Sequence, residues 1–430
     1  MSFSHLVRSQ EIVPLDNKNK ILQFSKTKPS IEEISIFLNQ EFLIDMTTDN
    51  DIINGYDHDS SNIKGQADAL CRPIDKIECS IIIVLCNYLK IPITFSAGRT
   101  NLTGSATPKG GIILSISKMN KIDNFDLENK KVSLSPGVYI EDIRNYIINE
   151  SKNNLIFPVD PTSRKEAMLG GAISCNASGF IPGIKGAMRY WVHGIELILS
   201  NGEIITASRG QYISKNGEFT INHSDGKQSK INVPTYSRPD IKNASGPFTA
   251  IDGKVDFIDL IIGSEGIFGF IASSTLNLEN KPSDYLNLFI KLKNEDQAFR
   301  LYTDINSYLN GKMSSLSGFE YFGKNCSSFM DNYEYFFDDD YRVGVYVQIP
   351  IYNNNIDLVI EDWFELLTNL DYIKEERQII SLNDSNTWKI FFNARHSMPV
   401  NALHKSKESN TKSIITDTIV PPRSFKKYIT

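Results

Sequence analysis

The spacing of hydrophobic residues predicts short strands and helices in alternation along most of the chain. Behind Asp75, apolar residues recur every three or four positions up to Leu89, which predicts a helix with Asp75 as its N-cap. The apolar run 91–95 then predicts a strand, further strands are predicted at 111–117 and 131–136, and a helix from about 139 to 148. This order indicates a compact α+β unit.

A second α+β unit is predicted from Leu155 to about Leu278. It contains the long apolar strand 194–208, a polar stretch up to about residue 252, and a strand, turn and strand crossing at 262–271. We assign both units to one domain, residues 66–280. Residues 1–62 are polar apart from an amphipathic stretch near 31–44, and we interpret them as a partly helical lead-in segment.

After Lys281 the order of elements changes. The predicted order β-α-β-β-α, with strands at 286–292, 316–322 and 343–349 and helices at 295–309 and 356–367, is typical of a ferredoxin-like sheet with helices on one face. A helix around 388–395, a strand at 413–420 and a helix from Ser424 follow. Residues 281–430 therefore form a third predicted region.

Composition excludes several classes of protein. With 41% hydrophobic residues and a net charge of -6, the 430-residue chain is an ordinary folded protein, and no Lys/Arg-rich run suggests a nucleic-acid partner. Five cysteines without CxxC spacing favour neither a disulfide framework nor a zinc site. The longest apolar run, 81–86, is far below the ~18 residues that a membrane span needs, so we expect a cytoplasmic protein, with peripheral membrane association as an alternative.

The first of three glycine-containing loops covers residues 96–105. Its glycines let the backbone approach a ligand, and Thr100, Asn101, Thr103 and Ser105 add short side-chain donors that suit a pyrophosphate. The alternative is a polar surface turn. The loop matches neither the G-x-G-x-x-G nor the G-x-x-x-x-G-K-[ST] pattern, so another nucleotide-binding fold is required.

The second loop covers residues 157–179, and the third covers residues 262–271. Prolines stiffen the start of the second loop, and the small residues at its end leave room for a flat ligand against the backbone. The third loop, read alone, is a turn.

Taken together, these loops resemble the PCMH-type FAD-binding domain of the family that includes D-lactate dehydrogenases and the glycolate oxidase flavin subunit. The resemblance covers about residues 66–280. It rests on the ordered segments IPITFSAGRTNLTGSATPKGGIILSISKMNKI, VSLSPGV, FPVDPTS, LGGAISCNASG, Arg189 before GIELILSNGEII, KNASG and DLIIGSEGIFGF.

The resemblance implies an α+β fold of two subdomains that hold non-covalent FAD, because no His or Cys stands in the first loop to tether a flavin. The backbone of Ile271 would meet the flavin ring. The family pattern places the pyrophosphate at Ser96, Ala97, Gly98, Arg99, Thr100, Asn101, Leu102 and Thr103, and the rest of the cofactor at Asp160, Pro161, Ser163, Gly170, Gly171, Asn176, Ala177 and Gly179.

Three positions depart from the family pattern. Ala97 and Arg99 stand where relatives usually have glycine, and Tyr190 stands where an acidic residue is common after the arginine. Ala97 should fit if its φ is negative, and Arg99 could pair with a phosphate.

Residues after 281 resemble the companion cap domain, through FNARHSMPVNAL and SIITDTIVPP. By this resemblance Arg395 would bind the substrate carboxylate, for which a guanidinium fork is well suited, and the adjacent His396 is a second substrate-binding candidate. The alternative for Arg395 is a solvated helix face. His193 lies in an apolar strand and is interpreted as structural, and neither a catalytic base nor a metal site is assigned.

The reaction implied is oxidation of a small 2-hydroxy acid by hydride transfer to FAD, with a quinone, an electron-transfer flavoprotein, an Fe-S protein or oxygen as electron acceptor. The family's H-x-G-D-G-N-x-H stretch has no counterpart here, so we expect a fragment, a split-gene product with a separate chain, or a degenerate product. Two alternatives stay open. One is a catalytically silent FAD-binding fragment, and the other is a likeness of fold only, as with cell-wall enolpyruvyl reductases.

Overall fold

The computed structural model describes residues 4–61, 63–179, 181–234, 236, 249–250, 252–352, 356–411 and 420–429. Its described residues divide into two units. Unit 1 comprises the described residues of 1–177, 187–239 and 243–279, and unit 2 comprises those of 178–186 and 280–430.

Helices begin where the sequence supplies a capping side chain. Ser30 and Glu33 form a capping box, and Asp75 accepts hydrogen bonds from the backbone N–H groups of Ile77 and Glu78. The helices are α1 Leu15–Ser25, α2 Ile31–Phe42, α3 Asn50–Ile53, α4 Lys76–Leu89, α5 Ile140–Glu150, α6 Leu169–Ser174, α7 Met188–Trp191, α8 Phe257–Ile261, α9 Glu295–Tyr308, α10 Ile356–Thr368, α11 Ser385–Glu408 and α12 Phe425–Ile429.

The strands are mostly short. They are β1 Leu6–Arg8, β2 Met46–Thr47, β3 Ala69–Cys71, β4 Ile93–Ser96, β5 Ile112–Ser115, β6 Ile122–Asp126, β7 Lys131–Leu134, β8 Leu155–Ile156, β9 Val192–Ile198, β10 Ile204–Ser208, β11 Glu218–Asn222, β12 Gln228–Asn232, β13 Phe270–Asn277, β14 Glu279–Asn280, β15 Asp284–Leu292, β16 Gly318–Phe322, β17 Val343–Ile351 and β18 Ile379–Ser381. Together with the helices they confirm the predicted α+β class.

Unit 1 is organised by two sheets that share one central helix. The first sheet has the order β2-β3-β5-β4, in which β3, β5 and β4 run parallel, and the second has the antiparallel order β10-β9-β13-β7-β6. Helix α4 is buried at every position from Cys79 to Cys86. It packs with Ile112 and Leu114 of the first sheet and with Ile198 and Phe270 of the second, which explains why this helix is apolar all round.

The lead-in residues are built into unit 1. Val13, Ile21, Ile34 and Leu38 are at most 1% exposed and belong to the same hydrophobic cluster as α4. Strand β1 pairs in parallel with β11. Residues 4–61 therefore contribute core surface to unit 1.

Two sequence predictions in unit 1 are wrong in detail. The single strand predicted over 194–208 is the hairpin β9–β10, because Gly202 turns the chain at φ 83°. The crossing predicted at 262–271 has no strand before its turn: helix α8, whose N-cap Asp256 accepts from the N–H of Ile258, ends at Ile261, and β13 begins only at Phe270. The β11–β12 hairpin was not predicted at all.

Unit 2 contains an antiparallel sheet in the order β16-β17-β15-β18. Counted by their sequence order these strands are 2-3-1-4, the arrangement of a ferredoxin-like sheet. Leu288 and Ile290 of β15 face α9 and α10, whereas Phe289 faces a cluster with Phe391 of α11. The helix expected around 388–395 therefore runs from Ser385 to Glu408 and covers the second face of the sheet, where the prediction placed helices on one face only.

Most of the strand predicted at 413–420, and the KNASG motif, lie outside the described residues. In the part of the chain that the structure describes, no helix has the length and apolar character needed to cross a membrane.

Candidate functional site

The first loop begins at the buried end of β4. Ser96 is 1% exposed, and its hydroxyl has no hydrogen-bond partner among the described residues. Ala97 is not among the residues with positive φ, so it meets the condition set for it from the sequence. A buried hydroxyl of this kind is a donor for which a ligand can supply the acceptor.

The first and second loops are in direct contact. A Cβ atom on Gly98 would lie 1.9 Å from the carbonyl oxygen of Glu166, and one on Gly171 would lie 3.0 Å from the Cβ of Ala97. Only glycine allows the backbone to approach this closely at residue 98.

The third loop joins the second through its backbone. The N–H of Gly263 donates to the carbonyl of Ile173 at 3.1 Å, and the N–H of Glu265 donates to that of Ser174 at 2.9 Å. A Cβ on Gly266 would meet the ring of Phe95, at the start of the first loop, at 3.1 Å. The three loops singled out in the sequence therefore converge within unit 1.

A cavity of about 300 Å³ opens beside the third loop. Phe95 and residues 266–269 line it, together with the C-terminal part of α4 and the end of β9. Its walls are largely aliphatic and aromatic, and its size lies at the lower end of the usual range for ligand pockets. The shape and chemistry suit a flat ring.

Two polar side chains of the first loop turn away from the other loops. Arg99 has φ 54°, its guanidinium lies 4.4 Å from the ring centroid of Tyr56, and it donates to the carbonyl of Gly55. Asn101 Nδ2 donates to Asp59 Oδ2 at 2.6 Å and to Ser105 Oγ at 2.8 Å. We define residues 55–61 as the brace segment. The structure thus gives Arg99 a partner in the brace segment, where the sequence suggested a phosphate.

In the second loop, carboxylate and carbonyl groups are used to shape the backbone. Arg164 donates from Nη1 to Asp160 at 2.6 Å and pairs through Nε with Glu141 at 2.7 Å. Burial alone would lower the pKa of Arg164, but these two carboxylates raise it. Pro161 and Ser163 accept backbone hydrogen bonds within the same turn.

The remaining predicted cofactor residues do not all fall in one unit. The Gly170 N–H donates to the Pro136 carbonyl at 2.8 Å, and the Ala177 N–H donates to that of Ala172 at 2.8 Å. Asn176 is 1% exposed, and its side-chain oxygen accepts from the N–H of Arg189 at 3.0 Å. Ile271 is 6% exposed in β13 opposite Leu197. Gly179 belongs to unit 2, where its N–H donates to the carbonyl of Gly186.

Arg189 fixes the start of the third loop. Its Nη1 donates to the carbonyl and carboxylate of Asp259 at 2.8 and 3.1 Å, and its Nη2 donates to the carbonyl of Ile262 at 2.8 Å. Burial lowers the pKa of Arg189, and Asp259 opposes that shift. Arg209 pairs with the same carboxylate at 3.0 Å. The sequence marked Arg189 through its motif, but nothing in it indicated Asp259 or Arg209.

In unit 2, the candidate substrate residue Arg395 lies on α11. Its Nε and Nη2 donate to the two carboxylate oxygens of Glu320 on β16, at 2.8 and 2.7 Å. The Arg395 side chain is only 10% exposed, so a solvated helix face does not describe it. His396 packs against Phe392 with a 4.0 Å separation of ring centroids. Glu320 was not identified from the sequence.

Among the described residues, no group of three or more His, Cys, Asp or Glu side chains could hold a metal ion. The five cysteines are free thiols, and Cys175, directly after α6, is exposed.

Residues 67–208 match the family described as "FAD binding domain". The chain is 30% identical over 276 residues to a D-lactate dehydrogenase of Anaerostipes hadrus, covering 63% of this chain and 49% of the relative. It is 30% identical over 253 residues to the glycolate oxidase subunit GlcD of Bacillus subtilis (strain 168), covering 58% of this chain and 45% of the relative. The chain thus spans about half the length of these curated relatives.

Solved structures share the fold at lower identity. A p-cresol methylhydroxylase matches with a TM-score of 0.60 and 16% identity, over 91% of this chain and 71% of that one. An alkyldihydroxyacetonephosphate synthase matches with a TM-score of 0.59 and 14% identity, over 87% of this chain and 64% of that one.

Proposed function

We propose that the chain is an FAD-linked oxidase with a PCMH-type FAD-binding domain, and that it oxidises a small 2-hydroxy acid with FAD as the hydride acceptor. The observation that carries the proposal is the convergence of the three loops in unit 1, through Gly98, Gly171 and Gly263. The similarity to a D-lactate dehydrogenase and to a glycolate oxidase subunit supports this substrate class.

The residues of unit 1 fit FAD. The buried, unpartnered hydroxyl of Ser96 and the side-chain-free backbone at Gly98 suit an anionic pyrophosphate, and the cavity beside residues 266–269 suits a flat ring. We propose that backbone N–H groups of residues 96–103 bind the pyrophosphate, while the second and third loops line the rest of the cofactor. The lack of His and Cys in the first loop supports a non-covalent attachment.

Bound FAD would supply an electron-poor ring that takes a hydride from the carbon bearing the substrate hydroxyl, while the hydroxyl proton is released and the carbon becomes a carbonyl. The part of the protein is to bind and orient the substrate. We propose that Arg395 pairs with the substrate carboxylate and that Glu320 fixes the plane of its guanidinium by the two hydrogen bonds described. His396, held against Phe392, is the second proposed substrate contact.

Turnover would require an electron acceptor, for which a quinone, an electron-transfer flavoprotein, an Fe-S protein and oxygen are the candidates. The transhydrogenase named among the relatives, a D-2-hydroxyglutarate--pyruvate transhydrogenase of Saccharomyces cerevisiae, adds an organic acid to the acceptors worth testing.

The test is anaerobic addition of D-lactate, glycolate and D-2-hydroxyglutarate, one at a time, to protein reconstituted with FAD. Loss of the absorbance of oxidised flavin with one of these acids, and not with its L enantiomer where one exists, is the expected result. Protein that fails to bind FAD would overturn the whole proposal. Protein that binds FAD but is reduced by none of the acids would be a catalytically silent flavin-binding protein.

A further inference from the structure

We propose that Asp59 is a positioning residue for cofactor binding, which holds the first loop in the conformation that presents its backbone N–H groups to the FAD pyrophosphate. This inference rests on FAD being the cofactor, as proposed above, and adds the brace segment 55–61 to its site. The sequence placed that segment in the lead-in region, outside the predicted cofactor domain.

Asp59 connects the brace segment to the first loop through its hydrogen bonds. Its carboxylate is buried, with the residue 4% exposed. Oδ2 accepts from Asn101 Nδ2 at 2.6 Å and from the N–H of Ala106 at 3.3 Å, and Oδ1 accepts from the N–H of Ser61 at 2.9 Å. A buried carboxylate is unfavourable unless it is hydrogen-bonded. Here the carboxylate connects the brace segment to Asn101 in the first loop and to Ala106, which directly follows the loop.

Asn101 uses both donors of its side-chain amide within the protein. One N–H group of the amide donates to Asp59 and the other donates to Ser105. Asn101 is therefore occupied in shaping the loop. The sequence counted its side chain among the pyrophosphate donors, whereas the geometry assigns it to the loop's own scaffold.

The brace segment also holds the first loop at Arg99. The carbonyl of Arg99 accepts from the N–H of Ser60 at 3.1 Å and from its hydroxyl at 3.3 Å, while the Arg99 side chain reaches Gly55 and Tyr56. These contacts keep Arg99 at φ 54°, a conformation that costs a non-glycine residue of order 1 kcal/mol. The Arg99 carbonyl and the side chains of Arg99 and Asn101 thus contact the brace segment, and pre-organisation of this kind reduces the entropy lost on binding.

The charge of Asp59 allows geometry to be separated from electrostatics. A carboxylate near a pyrophosphate opposes binding by charge, so removal of the charge alone should favour FAD. If Asp59 acts by geometry, the variant that keeps its shape should retain part of the affinity and the variant that loses its shape should not.

The experiment measures the Kd of FAD for deflavinated protein by flavin fluorescence, with the melting temperature recorded before and after FAD addition. We expect Asp59→Ala to weaken FAD binding roughly 30- to 100-fold and Asp59→Asn roughly 3- to 10-fold, since two or three hydrogen bonds to a charged group are lost or reduced. The apo Asp59→Ala protein should melt below the wild-type temperature because these buried hydrogen bonds are lost, and the rise caused by FAD should shrink as well.

The matched control is Asp57→Asn in the same segment, because the Asp57 carboxylate pairs with His58 at 2.6 Å. Its FAD affinity should stay within about twofold of wild type. Asn101→Ala should weaken binding by itself, and adding it to Asp59→Ala should have little further effect because the two residues act through one contact. If Asp59→Ala does not fold, Asp59→Asn and Asn101→Ala still decide.

The inference is overturned if Asp59→Asn and Asn101→Ala bind FAD as wild type does, if Asp59→Asn binds more tightly, or if Asp57→Asn weakens binding as much. Wild-type protein that fails to bind FAD refutes the proposed function instead, so the two failures are distinguishable.

Discussion

The first loop in unit 1 and the Arg395 region in unit 2 are candidate binding regions built from different groups, backbone in the first and a side chain in the second. In the first loop, the side chains of Arg99 and Asn101 are turned to the brace segment. In unit 2, the candidate group is a side chain, and the carboxylate of Glu320 already holds two of its donors. A site made of backbone depends on close approach, whereas a site made of one guanidinium depends on its partner.

This difference explains which substitutions each region tolerates. Ala97 and Arg99, at positions where glycine was expected from the resemblance, fit this loop because Ala97 does not have positive φ and Arg99 is held by Gly55 and Tyr56. Gly98 has no such freedom. Around Arg395, removal of either charge leaves the other one largely buried.

The largest effect is expected for Gly98→Ala. The new Cβ would lie 1.9 Å from the Glu166 carbonyl oxygen, so the first and second loops must separate. We expect the free energy of FAD binding to become less favourable by roughly 3 kcal/mol, which a fluorescence titration would record as about 100-fold weaker binding. Gly55→Ala is the control, because a Cβ there meets nothing within 4 Å. Equal FAD affinity in the two variants would contradict the close-approach argument.

The next largest effect concerns Arg395. Arg395→Ala should lower kcat/KM for the preferred 2-hydroxy acid by roughly 2–3 kcal/mol, about 30- to 100-fold, without releasing FAD. Glu320→Gln should raise KM roughly threefold to tenfold, because the guanidinium loses one of its two fixed directions. Release of FAD from Arg395→Ala, or an unchanged or lower KM in Glu320→Gln, would contradict the roles given to this pair.

A smaller effect tests a carboxylate whose role in unit 1 is structural. Burial alone would raise the pKa of Glu203, but hydrogen bonds from Ser224, Ser9 and His223 outweigh it and lower the pKa from 4.5 to about 2. Since the folded pKa is depressed, the stabilisation is present above pH 4.5 and disappears as the pH falls towards 2.

Glu203→Gln should therefore be less stable than wild type at pH 7, by roughly 1–2 kcal/mol after allowance for solvent screening. Between about pH 5 and pH 2, its free energy of unfolding in urea should fall less steeply than that of wild type. Parallel pH profiles for the two proteins would show that Glu203 contributes nothing to acid stability.

The smallest effect is expected for Arg99→Gly. Relief of the left-handed conformation offsets the loss of the contacts with Gly55 and Tyr56, so stability should change by less than about 1 kcal/mol and FAD affinity by less than about threefold. Lys90→Gly, at φ 58° after α4, is the control for the backbone term alone. A loss of FAD affinity above tenfold, absent in the control, would show that Arg99 binds a phosphate after all.

Much of the fold could be predicted because local patterns persist in the tertiary structure. The helix after Asp75, the two strands that flank the first loop and the ferredoxin-like order after 281 were all predicted from hydrophobic spacing and capping, whereas the parallel pairing of those two strands was not. The crossing predicted at 262–271 was wrong in its first strand, because Asp256 caps a helix that runs up to Ile261 and leaves only the turn before β13. The FAD-binding domain was predicted from ordered motifs, and the family match over residues 67–208 confirms it.

The sequence by itself determined the α+β class and the three glycine-containing loops, because glycine placement and apolar periodicity act over a few residues. Only the tertiary structure decided which polar side chains are bound by other parts of the protein. Asp59 lies 42 residues from Asn101, and Glu320 lies 75 from Arg395. Contacts between polar groups so far apart in sequence depend on how sheets and helices pack, which leaves no local pattern in the chain.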